Sequence, residues 1–534
     1  MKKIFFFFLL FSIYQNTIYS QEKFTKISCK VLDKSTKEPV VYATVMLKKM
    51  NRGTHADFNG KFEIPVRFLK NGTIKISSIG YLTKEVKLSD LKTGIVNLIY
   101  LSKSNQQLKE IVVKTSIKKK KLLAKQIVRK AIENILENYP NQKHSYIGYY
   151  RDYQQPADNS YQKSIKSNKI IEYLNVHEAI IESFDAGYKT DKLKDKKNQA
   201  LLYNYRANSN FIQDSTLTIP YDNKSKKYSE SVYITPLGGN ELNILDLTNA
   251  IRNYDKMSFS FANVFKKDFV RNHLFKIKEV IYLDDISMYK IYFYSFKERT
   301  SFEYSSYGHI YISKNDFAIH KLNYNLYYQK KKNPQYSVTI EYKPKKDKMY
   351  LNYITFNNYF EATNGNYFKI DETTFNSKYN TFKMSFNRQI NMNTLEPFKR
   401  NFKIYYKGKK LKVTNVRIFD NQKRKVIISI DKNSIAKLNF DKELQNPNYA
   451  SYFTFDISNI KDVNGFEINK RPSIKMNQYR EFFVQEIIEN KRLPIQKDFI
   501  DKSLPLSKSV IYPLKLENNY WMNTPLKSKK VAKN

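Results

Sequence analysis

Six histidines, His55, His144, His177, His273, His309 and His320, are the residues best suited to metal or acid–base chemistry. A zinc peptidase needs closely spaced His and Glu ligands and a third ligand further along. None of the six begins an H-x-x-E, and His177-Glu178 is not followed by a histidine at the H-E-x-x-H position. The chain has no G-x-S-x-G elbow, no phosphate-cradling G-x-x-x-x-G-K and no cysteine pair for redox work. Gly238-Gly239 follows Pro236 without a nucleophile motif beside it. Asp462-Val463-Asn464-Gly465 lacks the terminal Glu and ligand series of a calcium loop and reads as a turn. These patterns predict a non-enzymatic protein, with no catalytic residue, metal or cofactor. The remaining hydrolase possibility is that acids such as Glu178 and Asp185 converge with a histidine in a pocket.

The formal net charge of +43 admits two explanations. One is attraction to an anionic partner. The other is compositional, because lysines are scattered over every region of a chain rich in Lys, Asn, Ile and Tyr. The N-terminus decides what kind of anion is relevant. Lys2 and Lys3 precede an apolar run from Ile4 to Ile13, and Ile18-Tyr19-Ser20 forms a cleavage site, with the cut between Ser20 and Gln21. The run is shorter than the ~20 residues that span a bilayer. Export follows, to the periplasm or to an outer-membrane-associated position. Nucleic acid is then not an expected partner, whereas an envelope protein, a lipid or an anionic glycan is, with peripheral outer-membrane association. The lone cysteine, Cys29, cannot form an intrachain disulfide and reads as a buried thiol.

The elements that would carry any site are mostly strands. Ile27, Cys29, Val31, then Val41, Ala43, Val45, Leu47, then Phe62, Ile64 alternate, and Asn59-Gly60 and Asn71-Gly72 supply hairpin turns. This is the pattern of a small antiparallel β-sandwich. The segment resembles the carboxypeptidase-regulatory-like domain of exported Bacteroidota proteins. The matching residues are Val31, Asp33, Thr36, Pro39, Ala43-Thr44-Val45, Gly53-Thr54, Asp57, Asn59-Gly60-Lys61-Phe62 and Ser77-Ser78-Ile79-Gly80-Tyr81. Cys29 stands where a glycine is usual. The resemblance implies a transthyretin-like sandwich of seven strands and no peptidase activity.

A basic linker, Lys118 to Lys121, precedes a helix. Ala124, Ile127, Val128, Ala131, Ile132 and Ile135 form one apolar stripe, and Asn138-Tyr139-Pro140 ends it. The stripe suits packing on a sheet or lying on a membrane surface. Ala131-Ile132, Asn138-Tyr139-Pro140, Gly148-Tyr149-Tyr150-Arg151, Glu178-Ala179 and Asp185-Ala186-Gly187-Tyr188 together resemble the conserved-unknown middle region of an exported Bacteroidota family of the DUF5686 type. Its longer relatives continue into an outer-membrane barrel, a strand series this chain lacks after about residue 400.

From Phe275 to Phe386 the chain reads as a β meander, with strands at Ile281–Phe296, Gly308–Ser313, Ala318–Tyr328, Tyr336–Tyr342 and Tyr350–Phe360 and a hairpin at Asn364-Gly365. Alternating aromatics such as Tyr324, Leu326 and Tyr328 predict one buried face. A sheet curved round the helix 124–137 would form a half-barrel with an apolar groove, a pattern that resembles periplasmic lipoprotein carriers. A second helix is expected from Leu242 to Ile251, and Asp191 to Lys197 is expected to be a solvated loop. Strands at Lys412–Phe419, Lys425–Ile430 and Tyr452–Ile457 predict an Ig-like sandwich over 396–480, then an extended tail with Trp521 strapped across a domain.

The fold class predicted is therefore mainly β and multi-domain: signal peptide 1–20, sandwich 21–115, helix plus large antiparallel sheet 116–395, second sandwich 396–480 and tail 481–534. The function expected is envelope binding or scaffolding. The alternative is a carrier or sensor of a lipid, glycan or other hydrophobic molecule on the central sheet.

Overall fold

A computed structural model describes residues 26–50, 52–104, 122–165, 170–218, 226–229, 232–234, 241–255, 269–297, 304–328, 332–364, 367–436, 452–470, 473–495, 497–512 and 520–527. The leader with Ser20 and Gln21, the run Lys118 to Lys121, Gly238-Gly239 and Gly365 lie outside these residues.

The first module is a seven-stranded sandwich. One sheet orders Lys61–Pro65, Lys26–Asp33 and Val96–Leu101; the other orders Arg52–His55, Thr44–Leu47, Thr73–Ser77 and Lys84–Lys87. Alternation puts Ile27, Val31, Val45, Phe62, Ile74 and Ile76 between the sheets, with Cys29 among them. Burial pushes the Cys29 thiol up to about 12, which keeps it protonated and unreactive. Some of the motif residues act in turns: Asp33 accepts from the amides of Ser35 and Thr36 and from the Tyr81 hydroxyl. Gly60 has φ +72° and lies so close to the Val31 carbonyl that a Cβ would sit 2.4 Å from it.

The centre is an antiparallel path of ten strands. In spatial order they are Ala200–Ala207, Leu174–Asp185, His144–Pro156, Ile474–Glu489, Lys348–Asn364, Tyr336–Lys345, Ile319–Tyr328, Tyr304–Ser313, Ile286–Ser295 and His273–Leu283. One apolar cluster covers a single face of this path, from Leu202 near one edge to Phe275 and Ile277 at the other. The helix Ala124–Glu133, with its continuation Ile135–Asn138, inserts Ile127, Val128, Ala131 and Ile135 into that cluster, and Glu241–Thr248 adds Ile244, Leu245 and Leu247. The apolar stripe thus packs on the sheet, and the groove it would have bordered is filled by the two helices.

The second sandwich begins earlier than its expected start at 396. Ile370–Asn376, Thr381–Phe386, Lys425–Ile430 and Val413–Ile418 form one sheet, and Lys409–Leu411, Phe402–Tyr406 and Phe453–Ile457 the other, around Phe382, Met384, Ile404, Val426, Ile428 and Phe453. Its end also differs. Ile474–Glu489 was expected to be divided between sandwich and tail, but it forms a 16-residue strand in the middle of the central sheet. Buried polar residues on both of its faces hide the alternation that marks a half-buried strand. The run expected as Ile281–Phe296 divides at Asp284, whose φ of +49° turns the chain into a hairpin. The second sandwich is consequently an insertion between two neighbouring strands of the central sheet.

Candidate functional site

Asp185 ends the strand Leu174–Asp185 on the helix-covered face, opposite His144 in the adjoining strand. Past it, Gly187 has φ +105° and its Cα lies against the Asn141 carbonyl, so the chain reverses tightly and offers carbonyls inward. Arg252, just beyond the helix Glu241–Thr248, enters this reversal and is buried. Its Nε and Nη2 donate to the two Asp185 oxygens at 2.8 and 3.0 Å. Further bonds reach the Gly187 carbonyl at 2.8 Å, the Thr190 carbonyl at 2.9 Å and the Thr190 hydroxyl at 3.0 Å. All three guanidinium nitrogens donate, Nη2 three times and Nε and Nη1 once each, a planar fork that a lysine could not reproduce.

Lys192 was expected in a solvated loop, but it is buried beside this clamp. Its Nζ donates to Ser183 Oγ and the Phe184 carbonyl, both at 3.2 Å, and lies 3.9 Å from Asp185 and 3.8 Å from Asp246. The two acids draw the ammonium inward, while the neighbouring Lys194, Lys196 and Lys197 stay outside. Burial pushes the Asp185 carboxyl up, but Arg252 and Lys192 outweigh it and hold the group well below the usual carboxylate range.

A ring of tyrosines continues the site. Tyr188 donates to the Tyr342 hydroxyl at 2.8 Å, Tyr342 to Asn249 Oδ1 at 3.0 Å, and Tyr139 stacks on Tyr188 with centroids 5.0 Å apart. Burial raises these phenols far above their ordinary value, so they remain neutral donors. Beside them a cavity of about 50 Å³ lies under the helix Glu241–Thr248, with Tyr146, Leu242, Leu245, Leu351, Phe482 and Ile500 in its wall. Further along the same face, Arg480 lies 3.4 Å from Asp152 and donates to Asn358 at 2.9 Å, and Gln478 bonds Asp152.

The opposite face of the sheet receives the first module. Arg151 and Glu481 are cross-strand partners, both fully buried, joined by 2.8 and 2.5 Å bonds to one carboxylate oxygen. Tyr42 of the first module and Tyr153 donate to the other oxygen, each at 3.3 Å. Trp521 does strap across a domain: it enters the first module's core, with its ring 4.8 Å from Phe68 and its Nε1 donating to the Glu63 carbonyl.

Glu178 and Asp185 do not converge. Glu178 is on the first-module side of the strand, bound by Tyr149, Arg206 and Asn208. His144 alone of the histidines neighbours Asp185, and its nitrogens meet the Gln142 carbonyl and the Tyr146 hydroxyl. His55, His273 and His320 are buried apart from one another on separate elements, and His177 bonds Tyr205. Among the described residues no group of three or more His, Cys, Asp or Glu side chains could hold a metal. The Arg252 clamp had only one sequence signal, the Asp185-Ala186-Gly187-Tyr188 motif; nothing marked Arg252 or Lys192.

No curated protein matches the chain. Two solved structures give partial matches. A LolA superfamily protein from Nitrosomonas europaea is 10% identical, with a TM-score of 0.18, over 45% of this chain and 86% of that one. A DUF1329 family protein from Desulfovibrio piger is 12% identical, with a TM-score of 0.20, over 44% and 85%. Neither score is high enough to bear on fold or ligand. The family comparison is confined to the front of the molecule: residues 27–113 match the CarboxypepD_reg-like domain, so the first module is a CarboxypepD_reg-like β-sandwich.

Proposed function

We propose that this chain is a non-enzymatic binding protein of the cell envelope, in which the central sheet takes up an apolar envelope molecule such as an acyl chain. The observation that carries this reading is the roof formed by residues 241–255. It closes an apolar cavity with a few convergent phenols and one charged clamp, the composition of a ligand site. At about 50 Å³ the cavity is far below the ~300–1,000 Å³ of occupied small-molecule sites, so entry requires the roof to move. The Arg252 clamp is the point at which it is held. The first module and the inserted sandwich serve as docking or spacing elements. Kinship with the exported DUF5686-type family and a periplasmic or outer-membrane-associated location belong to the same proposal; they rest on the middle-region motifs and the leader.

The test is titration of the purified full chain with a fluorescent fatty acid, paired with Leu245→Trp to fill the space beneath the roof. Saturable binding that Leu245→Trp abolishes without loss of folded structure is expected. Equal binding by both proteins would sink the reading. Fractionation of cells with a high-salt wash and protease shaving tests location, and release into the cytoplasmic fraction would contradict export.

A further inference from the structure

A second cavity lies on the other side of the sheet, between the first module and the strands Tyr336–Lys345 and Ile474–Glu489. Its volume is about 390 Å³, within the range of small-molecule sites. Four lysines border it: Lys48 and Lys75 from the first module, Lys343 and Lys345 from the central sheet. Three acids border it too: Asp284 pairs with the cavity's own Lys75, and the other two are held by cations outside it. Asp284 lies 3.5 Å from Lys75, Glu341 is 3.1 Å from Lys321 and also accepts from Asn352 and Tyr353, and Glu486 is 3.1 Å from Arg52. Lys48 and Lys345 have carboxylate partners outside the cavity, Glu85 and Glu489.

Lys343 differs from its neighbours. Alternation along Tyr336–Lys345 puts it on the same face as Glu341, towards the first module. Its Nζ meets Met46 Sδ at 3.7 Å, a weak acceptor, and no ion pair is formed with it among the described residues. Burial pushes its ammonium down to about 8, a cost that the more distant Glu341 offsets only in part. Lys343 is half-buried where the cleft opens. Ser77 and Ser78 line the first-module side of the cleft.

We propose that this inter-module cleft binds a phosphate group, with Lys343 as the central cation and Ser77 and Ser78 as hydroxyl donors. Phosphate fits better than a carboxylate because a dianion meets lysines approaching from both modules, and Lys binds it as a point charge without needing a bidentate fork. The phosphate could belong to a soluble monoester or to a lipid headgroup. A ligand here would bridge the two modules across their shared boundary.

The experiment is isothermal titration calorimetry of the full chain with inorganic phosphate and with glycerol 3-phosphate, together with co-sedimentation on phosphatidylcholine vesicles with and without phosphatidic acid. Lys343→Met, Lys343→Arg and a control on the distant second sandwich, Lys369→Met, are run alongside. Saturable one-site binding, weakened at least ten-fold by Lys343→Met, kept by Lys343→Arg and unchanged by Lys369→Met, is expected. If the soluble probes show this pattern, the phosphate is a solute. If only vesicles with phosphatidic acid show it, the phosphate is a headgroup. Binding that is equal in the wild type and Lys343→Met, or absent with every probe, overturns the proposal. Circular dichroism confirms that each variant is folded before titration.

Discussion

Replacing Arg252 by Met keeps the bulk of the side chain and deletes the clamp. Five hydrogen bonds are lost, two of them to the buried Asp185 carboxylate. Removing one partner of a buried ion pair costs about 3–5 kcal/mol, mostly because the other charge stays buried. Lys192, 3.9 Å from Asp185, still neutralises part of that charge, so the lower end, about 3 kcal/mol, is the expected cost. The roof should not come off altogether. Ile244, Leu245, Leu247 and Ile251 are buried, and each contributes about 1.5–3 kcal/mol in apolar burial. The consequence is local opening made more frequent by about two orders of magnitude, at ~1.4 kcal/mol per factor of ten. Hydrogen exchange followed by mass spectrometry reads this directly. Peptides over 241–255 and 186–198 should exchange about a hundred-fold faster, while those over 26–101 keep their wild-type rates. A rise below about three-fold in 241–255, or an equal rise in the first module, would refute the view that Arg252 holds the roof.

Other perturbations probe the same architecture. Gly187→Ala puts a Cβ 2.2 Å from the Asn141 carbonyl at φ +105°, so it should cost at least the ~1–3 kcal/mol of a strained backbone and raise exchange over 186–198. Trp521→Ala leaves a hole in the first module and should cost about 3–5 kcal/mol, seen as earlier proteolysis of that module while the second sandwich is unchanged. Asp57 sits buried at the module boundary, where burial, opposed by the Lys61 amide, Arg151 and the Asn59 amide, pushes its carboxyl up to about 6. The folded chain therefore holds this proton where the unfolded chain has lost it. Stability from this group is complete below about pH 4 and falls by roughly 3 kcal/mol as pH rises through 6. Asp57→Asn should flatten that part of the stability profile in urea melts, and an unaltered slope would count against the shift.

Much of the architecture was legible because local pattern and burial agree. The stripe Ile127, Val128, Ala131, Ile135 is the face that packs, and Tyr324 and Leu326 are buried as their alternation predicts, while Tyr328 at the strand's end is half-buried. Where reading failed, charge was buried. Arg151, Glu481 and Arg480 look like surface residues in isolation, and each is covered because its partner comes from a strand remote in sequence; Lys192 is held between Asp185, nearby in the chain, and the more remote Asp246. Arg151 and Glu481 are 330 positions apart. Nothing local announces such a pair, and hence nothing local announced that Ile474–Glu489 belongs at the sheet's centre. The candidate sites were hidden for the same reason: their geometry exists only after distant strands have met.

The placement of that strand also determines the order in which the molecule can be completed. The strands between 144 and 207 and those between 273 and 364 are made before it, yet they adjoin one another only through it. Until residues 474–489 have been synthesised and have crossed any membrane on their way, two half-sheets expose unpaired edges and apolar faces. Such edges template wrong pairing, and contacts of this sequence separation close slowly. The residues that cover the first module's boundary, Tyr520 to Leu526, arrive later still. The inserted sandwich can fold in the interval, since its core is its own. Assembly of the central sheet thus has an enforced closing step, and a chaperone acting on this chain would be needed most during the wait for that strand.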